Sequence, residues 1–155
     1  MKTHQYKIKT TWTGNTGKGT QSYAVYNRDY DVQAEGKTVI KGSSDPAFRG
    51  DKLRYNPEDM LMASLSSCHM LWYLHLCSEA GVVVEHYEDE AEGVMEESSN
   101  GSGKFTQVTL NPFVIVENNR MVEKALKLHH RANEMCFIAN SCNFPVYHKP
   151  LVKVK

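Results

Sequence analysis

Residues 56 to 81 read NPEDMLMASLSSCHMLWYLHLCSEAG and decide the fold. Asn56 is a favourable helix N-cap, and it is followed by a proline at the first helical position and two acids in the first turn. Gly81 is a typical C-terminal stop, so the pattern predicts one long helix that runs to Ala80. Residues 60 to 78 carry no formal charge, which is nearly the length of a membrane span, but four serines and two histidines interrupt them. We therefore expect a buried central helix in a protein with no membrane partner.

The sequence around this helix predicts short strands and a second helix. Asn119 to Cys136 carries an inward stripe at helical spacing, and residues 35 to 55 form an irregular connection rich in glycine. Residues 98 to 103 (SSNGSG) indicate a hairpin loop, and Pro112 indicates a bulge or an edge. The predicted strands are residues 4–13, 22–26, 30–34, 82–95, 105–116 and 145–154. This order of elements is typical of one α+β domain that spans residues 1–155.

Composition excludes several classes of function. The chain has 155 residues, with 18 Lys plus Arg and 18 Asp plus Glu, so its formal net charge is zero. Nucleic-acid and anionic-membrane partners usually require a basic excess, and we expect neither. Four cysteines are too few for a small secreted disulfide fold, and residues 1 to 10 do not resemble a secretory signal. We expect a cytoplasmic protein with reduced thiols.

Cys68 lies in the middle of the long helix, where a lone cysteine is usually a packing residue. Reactivity would require a nearby cation to stabilise the thiolate, and His69 points about 100° away around the helix. Cys77 lies two and a half turns after Cys68 on the opposite face, which indicates packing. Cys136 and Cys142 are close enough in sequence to approach each other across a turn. The spacing alone leaves the role of each thiol open.

No metal or cofactor site is predicted from these residues. The cysteine spacings do not match a metal finger, and no C-x-x-C motif is present. The histidines are dispersed along the sequence, and we expect each of them to be a hydrogen-bonded structural residue: His69, His75, His129 and His130.

Two segments identify a resemblance to a known family. Residues 56 to 69 (NPEDMLMASLSSCH) resemble the NPEELL…A…C helix of the OsmC/Ohr superfamily of thiol peroxidases. Residues 136 to 141 (CFIANS) look like the second-cysteine segment of the same superfamily, and the order of the elements between them also matches. The resemblance implies an OsmC-like α+β fold, in which antiparallel and mixed sheets wrap around a long buried central helix in an intertwined dimer.

The resemblance also implies a reaction. Cys68 would be the peroxidatic thiolate, which attacks a hydroperoxide and becomes a sulfenic acid, and Cys136 would resolve it as a disulfide. An external dithiol, of the lipoyl type in this family, would then reduce the disulfide. An arginine stabilises the thiolate in the family and a glutamate orients that arginine. Glu58 matches the glutamate, and Arg49 is nearer the expected position of the arginine than Arg54 is.

The reach of the helix is consistent with the dimer. Ten helical residues span about 15 Å, so Glu58 and Cys68 of one straight helix are too far apart to touch. Either an arginine bridges much of that distance, or the glutamate comes from a partner chain. The Ohr branch takes its arginine from the N-terminal strands, where Arg28 is the only arginine and its surroundings do not match that branch.

Apolar side chains near the two cysteines favour organic hydroperoxides as substrates, although each of these residues fits a core role equally well. They are Phe48, Tyr55, Leu71, Trp72, Phe137 and Phe144. The alternative to a peroxidase is an OsmC-like protein that binds a small ligand or senses redox state with little turnover. A thiol-dependent acyl transferase is less favoured, because no histidine base is placed beside Cys68.

Overall fold

The computed structural model describes residues 1–155 and contains two compact units, Met1–Leu61 and Met62–Lys155. In the first unit, strands β1 (Lys9–Trp12), β2 (Tyr30–Gln33) and β3 (Ile40–Gly42) form an antiparallel sheet in the order β1-β2-β3. A 3-10 turn spans Pro46–Phe48. Tyr55 forms a parallel bridge with Gly42 just before the long helix begins.

The predicted strand over residues 22–26 is wrong, because this segment consists of turns and bends. The Arg28 guanidinium donates to the carbonyl oxygens of Tyr23 and Tyr26, at 2.6 Å in each case. It also lies 4.1 Å and 4.2 Å from the centres of the two tyrosine rings. These carbonyls are therefore paired with a side chain instead of a neighbouring strand. The predicted irregular connection over residues 35–55 contains β3 and is otherwise a loop with the 3-10 turn.

The long helix α1 (Pro57–Glu79) has the predicted ends. The Asp59 N–H donates to Asn56 Oδ1 at 2.7 Å, and the Asn56 N–H donates back to Asp59 Oδ2, so the two residues cap the helix reciprocally. At the other end Gly81 adopts a φ of 72°, which favours glycine, and the Val82 N–H donates to the Cys77 carbonyl. Neither this helix nor α2 (Val122–Met135) is long and apolar enough to cross a membrane.

The second unit contains six strands in two three-stranded sheets. The strands are β4 (Val84–Asp89), β5 (Glu92–Glu97), β6 (Gly103–Leu110), β7 (Pro112–Val116), β8 (Val146–His148) and β9 (Leu151–Val154). The sheets have the orders β4-β7-β9 and β5-β6-β8. β7 pairs antiparallel with β4 and parallel with β9, and β6 pairs in the same way with β5 and β8. Each of the three strands predicted over residues 82–95, 105–116 and 145–154 is thus divided into two shorter strands.

Pro112 begins β7, at the point where the predicted strand over residues 105–116 is divided into β6 and β7. The sequence predicted a bulge or an edge at this proline. The Asn111 N–H leaves the ladder and donates to Asp89 Oδ1 at 2.7 Å, while the Asn111 amide donates to the Glu90 carbonyl. The core of this unit lies between the strands and the two helices. α1 contributes one row at four-residue spacing: Leu65, His69, Tyr73 and Cys77.

Candidate functional site

Cys68 and Cys136 are brought side by side, although 68 positions separate them in the sequence. Cys68 projects from the middle of α1, and Cys136 directly follows α2 with an extended backbone that ends the helix. The Cys68 side chain is close enough to Cys136 to raise the pKa of its thiol. No disulfide is present, and Cys68 is partly exposed whereas Cys136 is buried. The pair is therefore reduced, with one thiol that solvent reaches and one that it does not.

The surroundings of the two thiols differ in a way that affects their chemistry. Burial, and after it the neighbouring Cys68 side chain, raises the pKa of Cys136 to about 11. The Ala139 N–H, which lies 3.4 Å from Cys136 Sγ, acts in the opposite direction but is the weaker influence. Cys136 is thus a neutral thiol at physiological pH. This difference in pKa and exposure favours Cys68 as the nucleophile of the pair.

An aromatic pair lies beside the two cysteines in sequence and on the same elements. Trp72 is one turn after Cys68 on the same side of α1, and Phe137 directly follows Cys136. The two rings meet edge to face with centres 5.6 Å apart. A surface cavity of about 330 Å³ is lined by Leu71, Trp72 and His75. An apolar group is therefore accommodated on this side of the helix.

The other residues of the predicted apolar set lie elsewhere. Phe144 packs against Phe105 with ring centres 5.7 Å apart, which is a packing role. Phe48 and Tyr55 belong to the first unit, and both have exposed side chains. The structure therefore places three of the six residues around the cavity or against its wall: Leu71, Trp72 and Phe137.

The two remaining cysteines are separate from the pair. Cys77 belongs to the hydrophobic core, as its spacing predicted, and burial raises its pKa. The Cys142 thiol donates to the Ile138 carbonyl at 3.3 Å, and burial also raises its pKa. Neither thiol contacts a cation that would activate it.

The two candidate arginines have different environments within the first unit. Arg54 forms ion pairs with Asp29 and Asp51, both at 3.5 Å. Arg49 forms no ion pair, and its guanidinium lies 5.9 Å from the centre of the Tyr23 ring. Its backbone has a φ of 65°, the one non-glycine residue in the left-handed region. Two carboxylates therefore hold Arg54, although its Nη1 is buried and has no partner, whereas Arg49 forms no ion pair.

The loop that carries Arg49 is tightly constrained. A Cβ atom at the following residue, Gly50, would lie 1.6 Å from the Ser44 carbonyl oxygen, so only glycine fits there. Ser44 Oγ donates to the Phe48 carbonyl, and the Asp45 carboxylate accepts from the Ala47 N–H. A left-handed arginine in so rigid a loop is costly, and such strain is typical of functional positions.

Glu58 lies in the first turn of α1, where the sequence predicted the orienting glutamate. Its Oε2 atom is buried and has no hydrogen-bond partner. A carboxylate oxygen that is shielded from water needs a donor, so this atom indicates a missing interaction.

A buried histidine cluster is the feature that the sequence analysis missed. His69 Nε2 and His129 Nδ1 lie 3.0 Å apart, and the His129 ring stacks on Tyr73 with centres 3.8 Å apart. His148 of β8 lies beside His69. Burial above all, together with neighbouring histidines, lowers the pKa of His69 to about 4 and that of His129 to about 3. The two buried rings are therefore neutral.

The expectation of hydrogen-bonded structural histidines is correct only in part. His75 and His130 lie at the surface, near Glu79 and Glu134. His69 and His129 bond to each other, but His69 Nδ1 and His129 Nε2 have no partner. The position of His129 on the inward stripe of α2 was the one available signal, since His148 lies in a short strand without periodicity. No group of three or more His, Cys, Asp or Glu side chains is arranged to hold a metal ion.

Comparison with known proteins agrees with this fold and with the two sequence motifs. A family model described as OsmC-like protein matches residues 50–149. The uncharacterized protein YmaD of Bacillus subtilis is 21% identical over 144 residues, which cover 91% of this chain and 88% of YmaD.

Solved structures show the same architecture. An OsmC-like protein of unknown function from Vibrio cholerae superimposes with a TM-score of 0.87 at 28% identity, covering 96% of this chain and 100% of the other. An organic hydroperoxide resistance protein, OsmC, from Legionella pneumophila gives a TM-score of 0.70 at 17% identity, covering 99% and 100% of the two chains. The chain therefore belongs to the OsmC-like protein family.

Proposed function

We propose that the protein is a cysteine-based peroxidase that reduces organic hydroperoxides and is recycled by an external dithiol. The observation that carries the proposal is the proximity of the partly exposed Cys68 thiol to the buried, high-pKa Cys136 thiol. A peroxidatic thiol must be accessible to the substrate, and a resolving thiol must lie beside it and stay protonated until the sulfenic acid has formed. The two environments meet these separate requirements.

The reaction balances over three steps. The Cys68 thiolate attacks the terminal oxygen of ROOH, the O–O bond breaks, and Cys68 becomes a sulfenic acid while RO⁻ takes up a proton and leaves as the alcohol. The Cys136 thiol then attacks the Cys68 sulfur, which forms the disulfide and releases water. A dithiol, for which the family suggests a lipoyl-type compound, reduces the disulfide and is itself oxidised. Such a reductant places the reaction in the cytoplasm.

We assign the stabilisation of the Cys68 thiolate to Arg49, with Glu58 as the residue that orients it. Arg49 is favoured over Arg54 because Arg54 already pairs with Asp29 and Asp51. The constrained left-handed loop at Arg49 gives the same preference.

The proposal includes a homodimer with sites at the interface. α1 carries no formally charged side chain over residues 60 to 78, but only one row of its side chains is fully buried within this chain. Leu71 on this helix is 62% exposed. Exposed apolar surface on a long, largely apolar helix is typical of an interface, and a second copy of the chain would cover it.

The apolar setting of the dithiol supports organic rather than inorganic hydroperoxides. The Trp72–Phe137 pair and the cavity beside it offer apolar surface to an alkyl or aryl group, and His75 is the one polar side chain that lines the cavity. Burial of apolar substrate surface contributes about 25 cal/mol per Å² to the free energy of binding. Contact with these apolar side chains therefore stabilises a bound cumyl group more than bound hydrogen peroxide.

The test is consumption of cumene hydroperoxide in the presence of dihydrolipoamide or dithiothreitol. We expect wild-type protein to turn over repeatedly and Cys68→Ser to lose all consumption. Cys136→Ser should consume one equivalent, and a dimedone adduct on Cys68 should be detected by mass spectrometry. Cys142→Ser is the matched control and should behave like wild type. Wild-type activity in Cys68→Ser would refute the proposal, and a single equivalent without recycling in wild type would indicate a redox sensor instead.

A further inference from the structure

The first unit contains four buried side-chain polar atoms that lack a partner: Tyr30 Oη, Asp31 Oδ1, Arg54 Nη1 and Glu58 Oε2. Two of them act on each other near the start of α1, since the Glu58 carboxylate raises the pKa of the Tyr30 hydroxyl on β2. Both are shielded from solvent, and neither donates to the other. Two orphaned acceptors in one region indicate a donor group that binds to both.

The backbone explains how Tyr30 reaches this region. Tyr30 pairs with Gly42 across β2 and β3, and Gly42 in turn forms a bridge with Tyr55, which directly precedes the helix cap. The Tyr30 ring lies against Gly42, where a Cβ atom would be only 2.3 Å from two ring carbons. Glycine at position 42 therefore allows the tyrosine to extend across β3 towards the first turn of α1.

The electrostatics of the two groups agree with this placement. Burial, and after it the negative charge of Glu58, raises the pKa of Tyr30, so the hydroxyl stays neutral and within range of the carboxylate. Asp31, the next residue of β2, projects to the other face of the strand and accepts a hydrogen bond from Lys41 at 2.7 Å. Tyr30 is thus the polar side chain that β2 directs towards Glu58.

We infer that Tyr30 Oη and Glu58 Oε2 together form a seat for the guanidinium of Arg49, which makes Tyr30 a positioning residue for the arginine that activates Cys68. A guanidinium carries five N–H donors in one rigid plane, so a carboxylate oxygen and a phenol oxygen can each accept from it. The second acceptor fixes the orientation of the plane, which one carboxylate oxygen alone does not. The inference rests on the proposed activation of Cys68 by an arginine.

The test measures how readily Cys68 ionises, and it does not depend on turnover. Alkylation of Cys68 by iodoacetamide is followed across pH, with each cysteine resolved by peptide mass spectrometry. In Tyr30→Phe, which loses only the hydroxyl, we expect the pH midpoint of Cys68 alkylation to rise by about 0.5 to 1, with alkylation at pH 7 about threefold to tenfold slower. Glu58→Gln should move the midpoint in the same direction and further.

Two more variants test whether Tyr30 acts through the arginine. Arg49→Gln should raise the pH midpoint of Cys68 alkylation. Adding Tyr30→Phe to it should cause no further change, because no guanidinium is then left for Tyr30 to position. Gly42→Ala retains the hydroxyl but displaces the ring, and it should reproduce the effect of Tyr30→Phe. Tyr6→Phe, at a tyrosine that is 90% exposed, is the matched control and should leave the midpoint unchanged. Thermal unfolding of each variant verifies that it is folded.

The inference is overturned if Tyr30→Phe retains the wild-type midpoint while Arg49→Gln moves it, or if the two effects add. It is also overturned if neither variant moves the midpoint. Failure of the peroxidase proposal is recognised separately. In that case the midpoints shift as expected, but no hydroperoxide is consumed with any dithiol.

Discussion

His69 Nε2 and His129 Nδ1 lie 3.0 Å apart at a position where neither side chain has any exposed surface. One ring must donate to the other, and either choice of donor leaves one further N–H without an acceptor. This N–H belongs to His129 Nε2 if His69 donates, and to His69 Nδ1 if His129 donates. The pair is therefore confined to its neutral form, and protonation of either ring would place a charge in the core.

The buried pair predicts a loss of stability in mild acid. The pKa of His69 is about 4 and that of His129 about 3 in the folded protein, against about 6.5 in an unfolded chain. The unfolded state therefore binds more protons below pH 6.5, and the free energy of unfolding falls as the pH drops from 6.5 towards 4. We expect a loss on the order of 5 kcal/mol over this range from the two groups together, measured by urea unfolding at fixed pH.

A matched pair of variants separates this effect from general acid denaturation. His129→Leu should be less stable at pH 7, because His69 loses its partner, but its stability should decline less steeply between pH 6.5 and 4. His75→Gln removes an exposed histidine and should retain the wild-type slope. Equal slopes in all three proteins would contradict the assignment.

The two arginines of the first unit predict opposite effects on stability. Arg49 adopts a left-handed backbone with a φ of 65°, which costs a non-glycine residue about 1 kcal/mol. Arg49→Gly should therefore raise the free energy of unfolding by up to about 1 kcal/mol while peroxidase activity falls at least tenfold. Arg54→Gln breaks two ion pairs of a partly buried head group, so it should lower stability and affect activity less.

Thermal unfolding and the rate of cumene hydroperoxide consumption are measured on both variants. If Arg54→Gln lost activity while Arg49→Gly retained it, the roles of the two arginines would be reversed. Lower stability in Arg49→Gly would mean that the arginine side chain stabilises its loop by more than the backbone strain costs.

The sequence predicted the elements whose signals are local. The cap at Asn56, the stop at Gly81 and the length of α1 follow from side chains that bond to the nearest backbone groups, and the structure has them where expected. The strand predicted at residues 22–26 failed for a physical reason. The Arg28 guanidinium donates to the Tyr23 and Tyr26 carbonyls, which in a strand would accept hydrogen bonds from a neighbouring strand. Strand propensity does not predict this contact.

The candidate site shows the same division between local and long-range information. The proximity of Cys68 and Cys136 depends on two helices, and it was anticipated from the family resemblance rather than from spacing. The histidine pair was missed because its partners come from different helices and each residue alone is compatible with a packing role. Tyr30 and Glu58 are likewise connected through β3 and its bridge to Tyr55, a relationship that no sequence period reports.

The contact between Trp72 and Phe137 predicts that removal of the Phe137 ring changes the preference between organic hydroperoxides and hydrogen peroxide. Phe137 is 64% exposed, and its ring meets Trp72 at right angles beside the dithiol. Phe137→Ala should lower kcat/KM for cumene hydroperoxide by about tenfold, because roughly 1 to 2 kcal/mol of apolar contact is lost. The value for hydrogen peroxide should change less than twofold, since that substrate has no apolar surface to bury.

Phe144→Leu is a suitable control, because the Phe144 ring packs against Phe105 and does not line the cavity. It should reduce stability without altering the ratio of the two kcat/KM values. Equal losses for both hydroperoxides in Phe137→Ala would show that Phe137 supports the position of Cys136 and does not contact the substrate.

The proposed dimer predicts that an exposed apolar residue of α1 becomes sensitive to charge. Leu71 is 62% exposed in the single chain, on a helix with no formally charged side chain over residues 60 to 78. We expect light scattering to give twice 17.6 kDa for the wild type at micromolar concentration, and 17.6 kDa for Leu71→Glu, because a buried carboxylate at the interface would cost several kcal/mol. Leu151→Glu changes a leucine of similar exposure on β9 and should remain dimeric. A wild-type mass of one chain would refute the dimer, and a dimeric Leu71→Glu would place the interface away from this side of the helix.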